Sequence, residues 1–112
     1  MTSIKNKVTL IGNAGNAPEI RTFDNNKKIA RLSIATNETY KNQKGEKVKE
    51  TTWHTVVLWD SLAEIAERIV KKGAEIAIDG KLVNRNYTDK DGIKRYVTEV
   101  QASELVLLGN KA

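Results

Sequence analysis

The chain has 112 residues, which is enough for one compact domain with a single core but not for two. Its 39% hydrophobic and 29% charged residues are typical of a soluble protein, and no apolar run approaches the roughly 20 residues that a membrane span requires. A net charge of +5 favours an anionic partner such as nucleic acid or a membrane surface. The lack of cysteine excludes disulfides and thiolate metal sites, and the N-terminal sequence lacks a secretory signal, so a cytoplasmic location is expected.

The N-terminal half of the chain predicts three extended segments and a loop. Residues 4–11 alternate well enough for a strand, and the dense turn residues of 12–18 must end it. The chain then resumes as an extended segment at 19–23. Residues 28–37 place apolar side chains on one face and mixed side chains on the other, which predicts a half-buried strand. Residues 40–50 are polar and rich in lysine without a periodic apolar face, so a long mobile loop is predicted there.

The segment 51–59 predicts a strand that carries both tryptophans of the chain, Trp53 and Trp59, six residues apart. Side chains alternate between the faces of a strand, so both indoles share one face, roughly 20 Å apart, with Thr55 and Val57 between them. The small residues between the rings suit a surface on which flat rings accept a stacked partner. Tryptophan in a strand is, however, most often simply part of the core, and this segment alone does not decide between the two.

The C-terminal half predicts one helix and two further strands. Residues 61–64, Ser-Leu-Ala-Glu, form a capping box that predicts a helix start. Apolar residues then recur at helical spacing, and Gly73, which follows two lysines, ends the helix. Residues 75–83 alternate as a strand. A hairpin with its tip at residues 91–92, Asp-Gly, leads into the final strand at 97–108.

The sequence offers no constellation for catalysis or metal binding. His54 is the only histidine, and it lies opposite the tryptophans on the apolar face of its strand, as a satisfied interior or interface histidine would. Residues 89–92, Asp-Lys-Asp-Gly, lack the remaining ligands of a calcium loop and are interpreted as the hairpin tip. The GxxG pattern at 12–15 leaves a strand, unlike the loop of a KH domain, and is interpreted as a turn. An enzyme is therefore not predicted, and no catalytic residue, metal or cofactor is expected.

Five main strands with one helix between the third and fourth is the order of an OB-fold, an all-β five-stranded Greek-key barrel whose face binds oligonucleotides. Five segments closely resemble, in order and spacing, the bacterial single-stranded DNA-binding protein family of tetrameric OB-fold proteins: residues 8–13, 18–21, 35–38, 53–58 and 95–100. The resemblance runs from about residue 4 to residue 109. It implies one OB-fold single-stranded DNA-binding domain over residues 1–109, followed by a short C-terminal end at 110–112.

The resemblance implies sequence-independent binding and protection of single-stranded DNA during DNA replication, recombination and repair. Family members stack bases on aromatic side chains that correspond here to Tyr40, Trp53, Trp59 and Tyr87. These are four of the six aromatic residues of the chain, which favours stacking over core packing for the tryptophans. The two tyrosines stand where the best-known members carry tryptophan, and Thr55 stands where a basic residue is common. The candidates for phosphate contacts are Arg85 in the hairpin, Lys41, Lys44, Lys47 and Lys49 in the loop, and Lys71 and Lys72 at the helix end.

The family pattern also implies a homotetramer in the cytoplasm, associated with the nucleoid and not with a membrane. Subunits are expected to pair through the first strand, in which Val8 and Leu10 would form an apolar edge, with Lys5 and His54 also contributing to the contacts. Many relatives continue into an acidic, Phe-ended tip that recruits replication and repair proteins, whereas this sequence ends at Ala112 without one.

Two other functions remain open from the sequence. One is an OB-fold RNA-binding module, and the other is a primosome-type subunit that shares the fold but recognises protein. Equal affinity for DNA and RNA of matched sequence would favour the first of these, and weak binding of poly-dT would favour the second.

Overall fold

The computed structural model describes residues 5–23 and 25–109, which form six strands and one helix. In chain order these are β1 (Val8–Ala14), β2 (Glu19–Thr22), β3 (Lys28–Lys41), β4 (Lys47–Trp59), α1 (Ser61–Ile69), β5 (Glu75–Thr88) and β6 (Lys94–Gly109). The predicted C-terminal end at 110–112 and residue 4 of the predicted first strand lie outside the described residues. Within the described ranges, no helix is long and apolar enough to cross a membrane.

Five of the strands close into a barrel. The order around it is β1-β5-β6-β4-β3, with β3 pairing back onto β1. Neighbours are antiparallel except β4 and β6, which run parallel and pair at two positions, Val56 with Val100 and Val57 with Gln101. β2 is added at the edge of β3, outside this ring. The predicted order of five main strands, with the helix between the third and fourth, is therefore confirmed.

The inward-facing side chains of these strands fill the barrel. Alternation sends every second residue of the barrel strands inward. The largest fully buried side chains come from β3, β4 and β5: Leu32, Ile34, Val56, Leu58, Ile76 and Ile78. Ala63 and Ala66 of α1 join the same cluster, since small residues let the helix approach the sheet closely. Burying each large apolar side chain stabilises the fold by roughly 1.5–3 kcal/mol. The same alternation leaves Trp53 and Trp59 on the outward face of β4.

β1 continues through part of the segment that was predicted to be a turn. Gly12 belongs to the strand. A side chain at this position would overlap the backbone carbonyl of Ala35. Only glycine lets β1 approach β3 this closely. Pairing then continues as Asn13 with Ala35 and Ala14 with Ile34, and this pairing closes the barrel.

The start of α1 differs from the predicted capping box. The helix begins at Ser61, and its N-cap is Asp60, which has a φ of 52° and makes no side-chain cap hydrogen bond. The Asp60 carboxylate instead accepts a hydrogen bond from the backbone N–H of Lys28 at 3.2 Å, and the Asp60 N–H donates to the Lys28 carbonyl at 2.7 Å. Only Asp60 lies between β4 and the helix, so Asp60 adopts a positive φ that turns the chain, and Ser61 is already helical.

The prediction of a long mobile loop at residues 40–50 is wrong. β3 and β4 remain paired to their ends, and only the turn at residues 42–46 separates them. Asn42 closes this turn, because its Oδ1 accepts hydrogen bonds from the N–H groups of Lys44 and Glu46 at 3.0 and 2.9 Å. Both faces of the paired strands are largely exposed here, so no apolar periodicity marks them in the sequence.

β5 and β6 form a second long hairpin of similar construction. Their strands also remain paired to their ends. Oδ1 of Asp89 accepts hydrogen bonds from the N–H groups of Asp91 and Ile93 at 3.0 and 2.9 Å, and Gly92 has a φ of 79°. The predicted hairpin tip is therefore confirmed, and the Asp89 carboxylate holds the turn.

Candidate nucleic-acid interface

A groove of about 400 Å³ crosses the outward face of the barrel between β2 and the β5–β6 hairpin. Its lining includes two aromatic side chains and three arginines: Phe23, Trp59, Arg21, Arg31 and Arg85. The strand register explains this convergence, because Ile29 lies between Trp59 of β4 and Arg21 of β2 in the sheet. Flat apolar rings beside fixed positive charge are the combination that binds bases and phosphates.

Trp59 lies in the groove with its ring stacked on that of Phe23. The ring centroids are 6.3 Å apart and the planes differ by 22°. Trp59 is 39% exposed, which leaves part of the indole open to a ligand. Phe23 is absent from the predicted binding residues. Its alternation with Arg21, on the exposed side of a short strand, is the signal that could have placed it on this face.

Trp53 lies farther along β4, opposite Ala35 of β3, and is 62% exposed. The turn after β1 contacts its ring at Gly15, where a side chain would overlap the indole. This turn is fixed to β3, because the Gly15 N–H donates to the Ser33 carbonyl at 2.8 Å and the Ser33 N–H donates to Oδ1 of Asn16 at 3.0 Å. The prediction that both tryptophans are exposed on one face of their strand is confirmed.

Two of the groove arginines converge on one buried carboxylate, Glu99. Arg85 donates from Nε and Nη2 to the two Glu99 oxygens at 2.9 and 3.3 Å, and Nη2 of Arg31 lies 3.2 Å from Oε2. The hydrogen bonds and the charge of Glu99 raise the pKa of Arg85 above its ordinary value, so Arg85 remains cationic. Arg31 and Glu99 are also absent from the predicted site, although alternation along β3 already placed Arg31 outward.

Tyr87 lies on the same outward face, beyond the groove along β5. The guanidinium carbon of Arg85 is 5.9 Å from the centre of the Tyr87 ring, within the range of a cation–π contact. Tyr87 is nearly half exposed, and it pairs with Arg95 of β6. Arg85 and Tyr87 therefore lie together on one face of the hairpin.

Tyr40 is not brought onto the face of Trp53. The two strands are paired without interruption, with Ala35 opposite Trp53 and Tyr40 opposite Val48. Tyr40 is five positions after Ala35, an odd number, so strand alternation places the two side chains on opposite faces. The ring is exposed, but on the other face of the β3–β4 hairpin.

The predicted phosphate-binding lysines fall into two groups. Lys41, Lys47 and Lys49 have the strand parity of Trp53, with Lys44 in the adjoining turn, and all four are exposed. Lys71 and Lys72 follow α1, next to Gly73, whose N–H donates to the Ala14 carbonyl at 2.8 Å. They are exposed but do not line the groove.

β1 presents a different side-chain set from the one predicted for a subunit contact. Leu10 belongs to the barrel core and Val8 packs partly buried against it, so neither forms an apolar surface edge. The outward residues are Thr9 and Ile11, the latter 57% exposed. Lys5 precedes the strand and is exposed. One backbone edge of β1 pairs with β5, whereas the other pairs within the described chain only from Asn13 onward.

His54 is half-buried on the inward side of β4, opposite Ile34. Its Nε2 lies 3.0 Å from Oγ1 of Thr36, within hydrogen-bond distance. The ring therefore has a hydrogen-bond partner within the chain, as the predicted role of an interior histidine requires. Across residues 5–23 and 25–109, no group of three or more potential metal ligands is assembled.

The closed five-stranded barrel with an open face of aromatic and arginine side chains defines an OB-fold of the nucleic-acid-binding kind. The model of the Single-strand binding protein family matches residues 5–108. The chain belongs to this family. The family description names a binding protein, in agreement with the prediction that the chain is not an enzyme.

Similar proteins come from bacteria and from a eukaryotic parasite. The "Single-stranded DNA-binding protein 1" of Xylella fastidiosa (strain 9a5c) is 45% identical over 107 residues, which cover 95% of this chain and 79% of that protein. The "Single-stranded DNA-binding protein" of Neisseria meningitidis serogroup B is 39% identical over 106 residues, but the match spans only 61% of its length. A solved structure described as "Plasmodium falciparum SSB complex with ssDNA" has a TM-score of 0.83, is 29% identical, and covers 96% of this chain and 97% of its own.

Proposed function

We propose that this chain binds single-stranded DNA without sequence preference and protects it during DNA replication, recombination and repair. The observation that carries the proposal is the groove in which the stacked rings of Trp59 and Phe23 lie beside three arginines. Every base offers a flat ring to an aromatic side chain and every phosphate offers charge to a guanidinium, so neither contact requires a particular base. The Plasmodium falciparum complex with single-stranded DNA supports this choice of ligand.

Base stacking uses the outward aromatic side chains. Trp53, Trp59 and Tyr87 are exposed on this face, and each stacked base contributes roughly 1–3 kcal/mol by alanine replacement. Phe23 supports Trp59 from its stacked position. Tyr40 lies on the other face of the β3–β4 hairpin, so it stacks only with a strand that passes around this hairpin.

Phosphate contacts come from the arginines of the groove and the lysines of the β3–β4 hairpin. Arg21, Arg31 and Arg85 hold the backbone within the groove. The exposed cations that extend the positive surface past Trp53 are Lys41, Lys44, Lys47 and Lys49. Lys71 and Lys72 contact only DNA that continues past the end of α1.

We also propose that four subunits assemble symmetrically through β1 and the sheet face around it. Ile11 lies opposite Ala77 of β5, which in turn lies opposite Val106 of β6, so these three side chains form a row across the outward face. Ile11, Val106 and the nearby Leu108 are all about half exposed. This apolar row lies beside the edge of β1 that pairs within the described residues only from Asn13 onward. Such an exposed row and edge are an aggregation hazard in a monomer, and subunit pairing removes it. The relatives are bacterial single-stranded DNA-binding proteins, and we propose a cytoplasmic, nucleoid-associated setting for this chain.

Intrinsic tryptophan fluorescence tests the proposed function directly. Titration with oligo-dT of increasing length should quench the fluorescence strongly and saturate at a defined site size, because stacking alters an exposed indole more than surface contact does. Competition with RNA of matched sequence is the control for ligand class. Equal affinity for the two would favour an RNA-binding module, and weak binding of poly-dT would favour a protein-interaction subunit.

A further inference from the structure

Glu99 is the one charged side chain that is buried among the described residues, with 6% of its surface exposed. It lines the groove on the outward face, whereas its neighbour Val100 belongs to the barrel core. Both carboxylate oxygens accept hydrogen bonds or ion pairs from Arg31 and Arg85, at distances between 2.9 and 3.3 Å. Two of the three groove arginines therefore have an anionic partner within the protein.

We propose that Glu99 competes with the phosphate backbone for Arg31 and Arg85, and so limits how tightly the groove holds a strand. The proposal rests on the proposed binding of single-stranded DNA. Arg85 presents to Glu99 the edge formed by Nε and Nη2, and this type of edge binds an anion through two parallel hydrogen bonds. A phosphate can take that edge only if the carboxylate gives it up.

Exposure determines which partner moves in this exchange. The side chains of Arg31 and Arg85 are 47% and 42% exposed, so both guanidinium groups can turn toward solvent and toward a strand. The Glu99 side chain is only 7% exposed and cannot follow them. Its charge stays beneath the bound strand, where it repels the phosphates. The three groups together carry two positive charges and one negative charge, a sum of +1.

The alternative, in which Glu99 only positions the two arginines, predicts the opposite effect on DNA binding. If Glu99 only held the arginines in place, its loss would weaken binding, whereas the loss of a competitor strengthens binding. Glutamine has nearly the same shape as glutamate, and both arginines remain partly hydrated without the carboxylate. Removing one partner of a buried ion pair is costly when the other charge is left buried, but the charges left here belong to Arg31 and Arg85, which water can reach. Glu99→Gln is therefore expected to fold.

The decisive experiment compares Glu99→Gln with Glu64→Gln in salt-dependent titrations with oligo-dT. Glu64 is exposed on α1 and does not line the groove, so its variant makes the same change in net charge elsewhere. We expect Glu99→Gln to bind about tenfold more tightly than wild type at low salt, since a repelling charge close to the strand is removed. Its plot of log affinity against log salt should be steeper by about 0.7, the value for one more phosphate contact. Glu64→Gln should change both quantities much less.

Any of four outcomes would overturn the proposal. Binding by Glu99→Gln no tighter than by Glu64→Gln, or an unchanged salt slope, would exclude competition. Weaker binding by a folded Glu99→Gln would show that Glu99 positions the arginines. A wild-type protein that does not bind oligo-dT would overturn the proposed function as well, so the two failures are distinguishable.

Arginine side-chain NMR of the wild-type protein tests the exchange without any variant. The Nε–H of Arg85 donates to Glu99 in the free protein. On addition of oligo-dT, we expect this resonance to shift as the hydrogen bond passes to a phosphate. An Arg85 resonance that keeps its free-state position at saturation would contradict the proposal.

Discussion

The backbone of Gly15 lies against the six-membered ring of Trp53, so close that a β-carbon at this position would overlap the ring. The N–H of Gly15 donates to the Ser33 carbonyl at 2.8 Å, which fixes this contact to β3. The turn after β1 thus supports the indole, while most of the ring remains exposed. A glycine in this turn consequently sets the position of an aromatic side chain that lies far from it in sequence.

We expect Gly15→Ala to weaken oligo-dT binding by about 1 kcal/mol, the lower end of the contribution of one stacked base. The fold should be retained, because the displaced atoms belong to an exposed side chain that can shift. Fluorescence titration measures the affinity, and a change in the intrinsic emission spectrum, to which Trp53 and Trp59 both contribute, reports the displacement. Gly109→Ala is the matched control, since a β-carbon there would meet no atom within 4 Å. Wild-type affinity in Gly15→Ala would remove any positioning role from this contact.

The stacked pair of Trp59 and Phe23 is best tested by a double-mutant cycle. We expect Trp59→Ala to cost roughly 1–3 kcal/mol of binding and Phe23→Ala to cost less, because Phe23 acts in part through the ring that it supports. The double variant should lose less than the sum of the two single losses, as expected for side chains in contact. Tyr96→Ala is the control, since Tyr96 is exposed but pairs with Asn86 on the other face of the β5–β6 hairpin from Tyr87. Additive losses would indicate that the two rings bind independently.

Salt dependence tests the lysines of the β3–β4 hairpin. The plot of log affinity against log salt should fall with a slope of roughly 0.7 per neutralised phosphate. We expect the combined variant Lys47→Gln and Lys49→Gln to reduce this slope by up to about 1.4, two contacts' worth. A combined Lys71→Gln and Lys72→Gln variant should reduce it only with oligonucleotides long enough to pass α1. A flat salt response in the wild type would remove the cations from the mechanism.

Light scattering at micromolar concentration tests the assembly. A tetramer has a mass near four times 12.5 kDa, and Ile11→Asp should lower this mass by placing a charge in the proposed contact. A charge at Val8 would not test the contact, because Val8 packs against the core and its substitution would destabilise the subunit itself. Circular dichroism establishes that Ile11→Asp is folded. A wild-type mass near 12.5 kDa would contradict the proposed tetramer.

Acid titration probes the tip of the β5–β6 hairpin. Hydrogen bonds from the Ile93 N–H and from Arg95 hold the pKa of Asp89 below its ordinary value. The folded-state pKa is therefore lower than the unfolded-state value of about 3.9, so Asp89 stabilises the tip above the unfolded pKa and loses this effect as pH falls through the folded pKa. We expect the Ile93 amide to lose exchange protection in that acid range. Asp89→Asn cannot titrate, so its tip should show no such loss, and an equal loss in this variant would assign it to another group.

Strand alternation predicted the exposed face of β4, because the two-residue period comes from backbone geometry and needs no knowledge of partners. The same rule also predicts where Arg31 points. The pairing of residues 40–50 was not predictable in this way, since strands solvated on both faces carry no apolar period. The turn that keeps these strands paired depends on Asn42, whose side chain accepts two backbone hydrogen bonds across it.

Glu99 marks the limit of prediction for the site. Nothing adjacent to it in sequence indicates a buried charge, because its partners Arg31 and Arg85 come from two other strands. The predicted capping box at the start of α1 was wrong for a related reason. The capping box at Ser61 is a local pattern, but the backbone of Lys28, more than thirty residues away, engages Asp60 and shifts the boundary.

The pairing of β4 with β6 at two positions has a kinetic consequence. The β3–β4 and β5–β6 hairpins join neighbouring segments, and such units form within microseconds, whereas bringing two hairpins together first costs the entropy of closing a long loop. We therefore expect the hairpins to form before β4 and β6 meet. Trp59 belongs to the β3–β4 hairpin and Arg85 to the β5–β6 hairpin, so the groove forms only when β4 and β6 pair. A chain caught before closure would not recognise DNA, and bound DNA would slow the reopening of the seam between β4 and β6.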